Sequence, residues 1–296
     1  MKDNSIKIGF CVAYDWYLLK YAIPPVYKYA DSICLSVDKD HISWGGEQFL
    51  FDEEAFSSFV RTIDTENKIA ILKEDFHQSA LTPMENEVRQ RNCMAEHMGN
   101  GGWHIQLDAD EYFHEFGPFV NYLRKTNVDE FTNVSCILIT VFKRVDNGYL
   151  IIDPIWKSNL ELIAIASRKP HYEHGRKNGY FNHITSFKIV HQSWARQESE
   201  IQQKVSNWGH KNDFKVQRFV DFWKSLDETN YKAIKNFHPI DPGRWPALRF
   251  IRSNSMEDLI NETGTIDISI FSKMELMILN SKMISRLKHF MRLLWP

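Results

Sequence analysis

The sequence predicts an α/β protein: a mostly parallel sheet flanked by helices, with a β-containing second half and a helical C-terminal tail. Three observations carry this. Short apolar runs recur through the first 115 residues, helix-compatible stretches separate them, and acidic residues stand just past the ends of several runs. Uninterrupted apolar runs of that length are what strands buried on both faces look like. Strand and helix in alternation make β-α-β units with right-handed crossovers.

Ile6 to Ala13 (IKIGFCVA) is the first strand, and a helix-compatible stretch follows from Trp16 to Tyr29. Ser32 to Val37 is the second strand and ends in Asp38-Lys39-Asp40. After a Gly45-Gly46 turn, Asp52 to Thr62 reads as a helix, because Phe56, Phe59 and Val60 share one face. Lys68 to Leu72 is the third strand. The next helix has the clearest start: Thr82 caps it, Pro83 takes its first position, and Glu85 completes a capping box. It runs to the break at Gly99-Asn100-Gly101-Gly102. Strand four, Trp103 to Leu107, opens directly into Asp108-Ala109-Asp110-Glu111. In open α/β sheets the ligand crevice lies at the carboxyl ends of the strands. Asp38, Asp40, Asp108 and Asp110 are therefore expected on one rim.

Beyond residue 115 the rhythm changes. Val134 to Val145 and Gly148 to Ile152 flank Asn147-Gly148, a hairpin signal. Ile184 to Val190 is a further strand, and Glu198 to Trp208 a helix stopped by Gly209. From Phe237 the chain is punctuated by Pro239, Pro242 and Pro246 and then reads as helical.

Composition narrows the function. Of 296 residues, 43% are hydrophobic and 25% charged, as in an ordinary soluble globule with a sizeable core. Lys and Arg total 36 against 38 Asp and Glu, a net charge of −2, which argues against a surface built for nucleic acid. Cys11, Cys34, Cys93 and Cys136 form no C-x-x-C pair, so a reducing compartment is the simpler reading than a zinc ribbon or disulfide framework. No apolar signal region and no run of ~18 apolar residues appears. The expected location is cytoplasmic. In Ser281 to Pro296 the apolar Met283, Ile284, Leu287, Phe290, Met291 and Leu294 recur at helical spacing, with Lys282, Arg286, Lys288 and Arg292 largely elsewhere. Such a helix packs on its own core or on a partner subunit, or lies on an anionic surface, so peripheral contact with the inner face of a membrane through 281–296 is a further expectation.

Asp108-x-Asp110 is the strongest chemical signal. Two carboxylates flanking one residue at a strand end converge when the chain bends, and they repel unless a cation separates them. Hard oxygen ligands suit Mn²⁺ or Mg²⁺, and Mg²⁺ typically adds substrate phosphates to one or two carboxylates.

Arg91-Asn92 on a helix, a Gly-rich break, then WHIQLDADEYF resembles the nucleotide-sugar half of family 2-type glycosyltransferases with the GT-A fold. Leu107-Asp108-Ala109-Asp110-Glu111 matches that family's D-x-D motif, and Arg91-Asn92 precede it by 16 or 17 residues. The resemblance covers residues 6 to 116 well and the rest loosely. It implies a nucleoside-diphosphate-sugar donor, a glycan or lipid-linked saccharide acceptor, and a metal on Asp108 and Asp110 that stabilises the departing diphosphate. It also places Ala13, Tyr14, Asp15, Asp38, Asp40, Arg91 and Asp108 around the nucleotide sugar. The domain organisation it implies is a transferase domain at 1–236, with a donor half (1–116) and an acceptor half (117–236), followed by a helical extension at 237–296.

GT-A enzymes often add a histidine to the metal, and His191, just after a predicted strand, is the first candidate, with His210 and His183 behind it. A catalytic base is harder to find, because the family's late Glu-Asp pair and Gln-x-x-Arg-Trp motif are absent. Glu111, Glu173, Glu198, Glu200 and Asp213 stay open for it. Trp156, Trp194 and Trp208 are candidates for stacking an acceptor.

Sharper motifs fail: Phe113 and Phe119 break a calcium loop begun at Asp108, His114-Glu115 lacks a second histidine, and no P-loop occurs. Two alternatives stand beside the transferase. A sugar-phosphate nucleotidyltransferase should carry a Gly-rich loop where Tyr14-Asp15-Trp16 stands, and a catalytically silent carbohydrate-binding module would keep the fold without turnover.

Overall fold

The computed structural model of the chain describes residues 3–207, 215–264, 266 and 271–285. Four strands form the parallel part of the sheet: β1 (Ile6–Val12), β2 (Ser32–Asp38), β3 (Ile69–Glu74) and β4 (Trp103–Asp108). Their spatial order is β3-β2-β1-β4, so the chain starts in the middle and winds outward before returning to β1's other side. Ile6, Ile8, Phe10, Ile33, Leu35, Ile105 and Leu107 are fully or almost fully buried, as the unbroken apolar runs require.

The helical stretch expected from Trp16 to Tyr29 is broken. A 3₁₀ turn at Trp16–Leu18 leads into α1 (Leu19–Ala22), and α2 (Pro24–Tyr27) begins anew. Pro24 and Pro25 have no N–H to continue the ladder, so the chain restarts there. α3 (Glu53–Ile63) is capped by Asp52, whose side chain accepts from the Ala55 N–H. α4 (Pro83–His97) starts on the expected capping box, with Thr82 and Glu85 exchanging hydrogen bonds.

The second half adds β5 (Glu111–Phe113), α5 (Phe116–Lys125), β6 (Thr132–Val145), β7 (Gly148–Asp153), β8 (Glu161–Ser167) and β9 (Phe181–His191). α6 (Glu198–Asn207), α7 (Val216–Ser225), β10 (Ala247–Arg252), α8 (Met256–Glu262) and α9 (Lys273–Leu279) complete the described chain. β8 joins β4 antiparallel and carries the sheet on through β6 and β7 to β10. β6 also pairs parallel with β9, and β9 with β5. The α/β class and the β-containing second half are as expected.

Residues 237–296 correct the expected purely helical extension. Ala247–Arg252 forms an edge strand, paired antiparallel with β7 from Ala247↔Asp153 to Arg252↔Gly148. Gly148 is the turn glycine of the expected hairpin, and it has a second duty here. A Cβ at that position would sit 2.1 Å from the Ile251 carbonyl oxygen, so only glycine lets β10 close on β7.

Three cores result. The largest covers one face of β1, β2 and β4, a small one of Cys11, Cys34, Leu72, Phe76 and Met94 lies on the other face, and an aromatic one gathers Phe142, Trp194, Phe219, Trp223 and Trp245. Trp194 is thereby consumed in packing, Trp156 stays 70% exposed, and Trp208 lies outside the described residues. Among the described residues no helix is long and apolar enough to cross a membrane, and residues 286–296 of the amphipathic stretch lie outside the description.

His104 on β4 is almost wholly buried, and burial, reinforced by Lys7, pulls its imidazole down to about 4. The unfolded chain takes this proton near pH 6.5, whereas the folded chain refuses it until about pH 4, so stability falls as pH drops through that window. His104→Leu is expected to flatten the pH dependence of the urea midpoint between pH 6.5 and 4, a difference on the order of 2 kcal/mol at pH 5. An unchanged pH profile would contradict the assignment.

Candidate active site

β4 and β5 are separated only by Ala109-Asp110, so the chain bends sharply at the carboxyl end of a central strand. The bend is pinned from inside: the Asp108 N–H donates to Glu111 Oε2 at 3.0 Å. It is pinned from outside as well, because β9 lays His191 opposite Glu111 and the Gln192 N–H donates to the Asp110 carbonyl at 2.9 Å. Sequence spacing and sheet register thus deliver Asp108, Asp110, Glu111 and His191 to one point.

Three carboxylates within four residues need opposing charge. Arg91, buried on α4, donates through Nη2 to Asp108 Oδ1 at 2.8 Å and through Nε to Glu87 Oε1 at 2.9 Å. Arg176 bridges Asp108 Oδ2 and Glu111 Oε2, both at 2.8 Å. Both oxygens of Asp108 are therefore engaged by guanidinium groups. Asp110 has a different set. Its Oδ2 lies 2.5 Å from Arg196 Nη2, 3.4 Å from Lys204 Nζ and 3.5 Å from His191 Nε2. Arg196 Nη2 also reaches Asp15 Oδ2 at 2.8 Å, tying the turn after β1 to the β4–β5 bend.

The titration directions follow from these contacts. Burial opposes ionisation of Asp110, yet the facing His191, Lys204 and Arg196 hold its carboxyl well below the usual range. Burial pushes Glu111 up, in spite of Arg176. Burial likewise pulls Lys204 down, against the attraction of Asp110.

The structure brings Arg91, Asp108, Asp110, Glu111, Asp15 and His191 together, but not the other sequence candidates. Asp38 is buried, and its carboxylate is filled by four backbone N–H groups: Asp40 and Ile42 at 3.0 Å, Phe76 at 2.9 Å and His77 at 3.1 Å. It shapes the loops after β2 and β3 and has no oxygen left over for a nucleotide. Asp40 is solvent-exposed beside Lys39. Ala13 contributes its carbonyl to the Trp16 N–H, and half-buried Tyr14 packs edge-on against Phe49. Glu198 turns outward to Lys224 at 2.5 Å, which takes it away from the cluster. Glu200 is at the rim, hydrogen-bonded to Tyr17 and to the Gln197 N–H. His183 is partly buried beside Tyr122 and Asn280. His210 and Asp213 lie outside the described residues.

Sequence reading missed Arg176, Arg196 and Lys204. Arg176 lies in a connection whose Gly175 has φ +56°, and nothing local marks it for burial. Arg196 and Lys204 follow His191 by five and thirteen residues. That spacing from a strand end was the available signal.

The donor set can be tested against a divalent cation. Asp110 Oδ2 and His191 Nε2 stand 3.5 Å apart, the separation of two ligands sharing one ion, but Arg196 and Lys204 hold that oxygen, so the pair fits a cation only once they let it go. Asp108 does not fit, since both its oxygens are taken. Among the described residues no group of three or more His, Cys, Asp or Glu side chains could hold a metal by itself. Two protein ligands with the remainder from phosphate and water is the arrangement Mg²⁺ tolerates.

No family model matches the chain, and no curated protein matches it. Among solved structures, residues 1–349 of TarS from S. aureus align with a TM-score of 0.36 at 8% identity, over 96% of this chain and 83% of that one. A longer TarS structure aligns at 0.31 and 10%, over 78% of this chain and 45% of that one. A mannose-1-phosphate geranyltransferase from Thermus thermophilus aligns at 0.27 and 10%, over 76% and 68%. Likenesses this loose carry nothing about residues or chemistry.

Asp38→Asn is expected to cost about 2 kcal/mol in the urea midpoint, because an amide N–H then opposes backbone donors. Nucleotide binding by the folded variant, measured by calorimetry, should match the wild type. A selective loss of binding without loss of stability would return Asp38 to the ligand site.

Proposed function

We propose that the chain is a glycosyltransferase that moves a sugar from a nucleoside-diphosphate sugar to a hydroxyl of a glycan or lipid-linked saccharide. The observation that supports this best is Asp110: a buried carboxylate at the end of a central parallel strand, facing His191 and ringed by cations. A carboxylate in that position and company is suited to an anionic ligand that arrives with its own cation.

Asp110 and His191 are the residues that would hold Mn²⁺ or Mg²⁺, which when bound would act as a Lewis acid on the departing diphosphate. Charge balance favours such a pair. Glu87, Asp108, Asp110, Glu111 and Asp15 face four basic side chains, Arg91, Arg176, Arg196 and Lys204. A bare diphosphate would add negative charge to an already anionic, water-poor cluster, whereas a diphosphate with a dication adds almost none.

The remaining residues position and exclude. Arg91 and Arg176 clamp Asp108 from both sides, so the bend that presents Asp110 keeps its shape. Tyr14 and Asp15, at the end of β1, form the side of the crevice assigned to the nucleotide. Preorganised charges of this kind need no rearrangement when negative charge grows on the leaving group.

Calorimetry with UDP and GDP, with Mn²⁺ or with EDTA, tests the reading. Wild-type chain should bind one of them in a Mn²⁺-dependent manner, and Asp110→Asn or His191→Ala should abolish that dependence. If the wild type ignores every nucleotide sugar and nucleoside diphosphate offered, the transferase reading fails.

A further inference from the structure

Arg196 uses only part of its donor set. A guanidinium has five N–H donors in a planar fork and normally grips carboxylate or phosphate along an edge. Here one nitrogen, Nη2, serves both Asp15 and Asp110. Nε and Nη1 are buried with no hydrogen-bond partner among the described residues. Lys204 differs, since its Nζ donates to the Ser193 carbonyl at 3.1 Å and to Asp110 Oδ2 at 3.4 Å, which places a second cation beside the same carboxylate. Buried charged donors left idle cost stability, so the retention of Arg196 beside Asp110 calls for an acceptor that its free N–H groups serve.

Both residues come from one short segment, 196–204, which leaves β9 at His191 and enters α6. Glu200 of the same segment is bonded to Tyr17, next to the turn after β1. The segment therefore links the pair Asp110 and His191 to the turn after β1. An anion lying between those two places has the idle N–H groups of Arg196 along its path, with Lys204 at the Asp110 end.

We infer that Arg196 and Lys204 are the phosphate-binding residues of this site, holding Asp110 and Asp15 in the free chain and turning to the diphosphate oxygens when donor binds. The inference rests on the transferase reading and adds to it which side chains receive the leaving group. Asp110 released in this way is free to serve a cation, so one exchange of partners prepares both halves of the site. No bond is made or broken in the exchange.

The experiment compares uridine and UDP, and guanosine and GDP, by calorimetry on Arg196→Lys, Lys204→Met and Lys204→Arg, alongside the wild type. Nucleoside diphosphate affinity is expected to fall on the order of tenfold to a hundredfold in Arg196→Lys and Lys204→Met. Lys204→Arg should recover much of it, and nucleoside affinity should stay within about twofold throughout, given that neither residue is assigned to the base. Folded variants that bind the diphosphate as tightly as wild type would overturn the inference. If a variant does not fold, a wild-type complex with the nucleoside diphosphate decides. Arg196 within hydrogen-bond reach of a phosphate oxygen supports the inference, and Arg196 still on Asp15 and Asp110 refutes it. Wild-type chain that binds no diphosphate at all would instead count against the transferase reading itself.

Discussion

A carboxylate taken out of water must be given positive charge or give up its own. Asp110 keeps its charge, and much of the second half of the chain is arranged to let it. Leaving such a group unpaired would cost several kcal/mol, comparable to the whole stability of many domains. β9 therefore ends at His191 beside it, the loop after β9 brings Arg196, and α6 brings Lys204. The same Arg196 ties Asp15 into the cluster, so the turn after β1 and the exit from β9 are joined through one side chain.

Asp108 shows the complementary solution. Its two oxygens are divided between Arg91 and Arg176, and Arg176 is shared in turn with Glu111. Both carboxylate oxygens of Asp108 are occupied in this part of the network, although Nη1 of Arg91 and of Arg176 has no hydrogen-bond partner among the described residues. Two aspartates separated by a single alanine thus do different work: one is structural charge, and the other is charge held ready. Burial and partners decide between them, not residue type.

Most of the first 116 residues could be read directly from the chain. Apolar runs flanked by helix signals located β1 to β4, and Thr82 with Glu85 located the start of α4, because those features depend on neighbours in sequence. β8 and β10 were missed for the opposite reason. Each is stabilised by partners far along the chain, β6 and β4 for one and β7 for the other, and Pro246 directly before β10 made that region read as a turn leading to a helix. Asp38 was misjudged because a carboxylate at a strand end looks the same whether it meets a ligand or four backbone N–H groups. Arg176, Arg196 and Lys204 vanished into a net charge of −2, since an average over the chain hides a local cluster of opposed charges. The D-x-D pattern pointed to the bend after β4, but the cations gathered around it needed three dimensions.

Anomalous diffraction at the manganese edge, from crystals soaked with Mn²⁺ and the nucleoside diphosphate that the chain prefers, tests the central claim most directly. The account requires one strong peak within coordinating distance of Asp110 and His191, with Asp108 still clamped by Arg91 and Arg176. Nucleotide bound with no manganese between those two side chains, or manganese held by Asp108 instead, would contradict it.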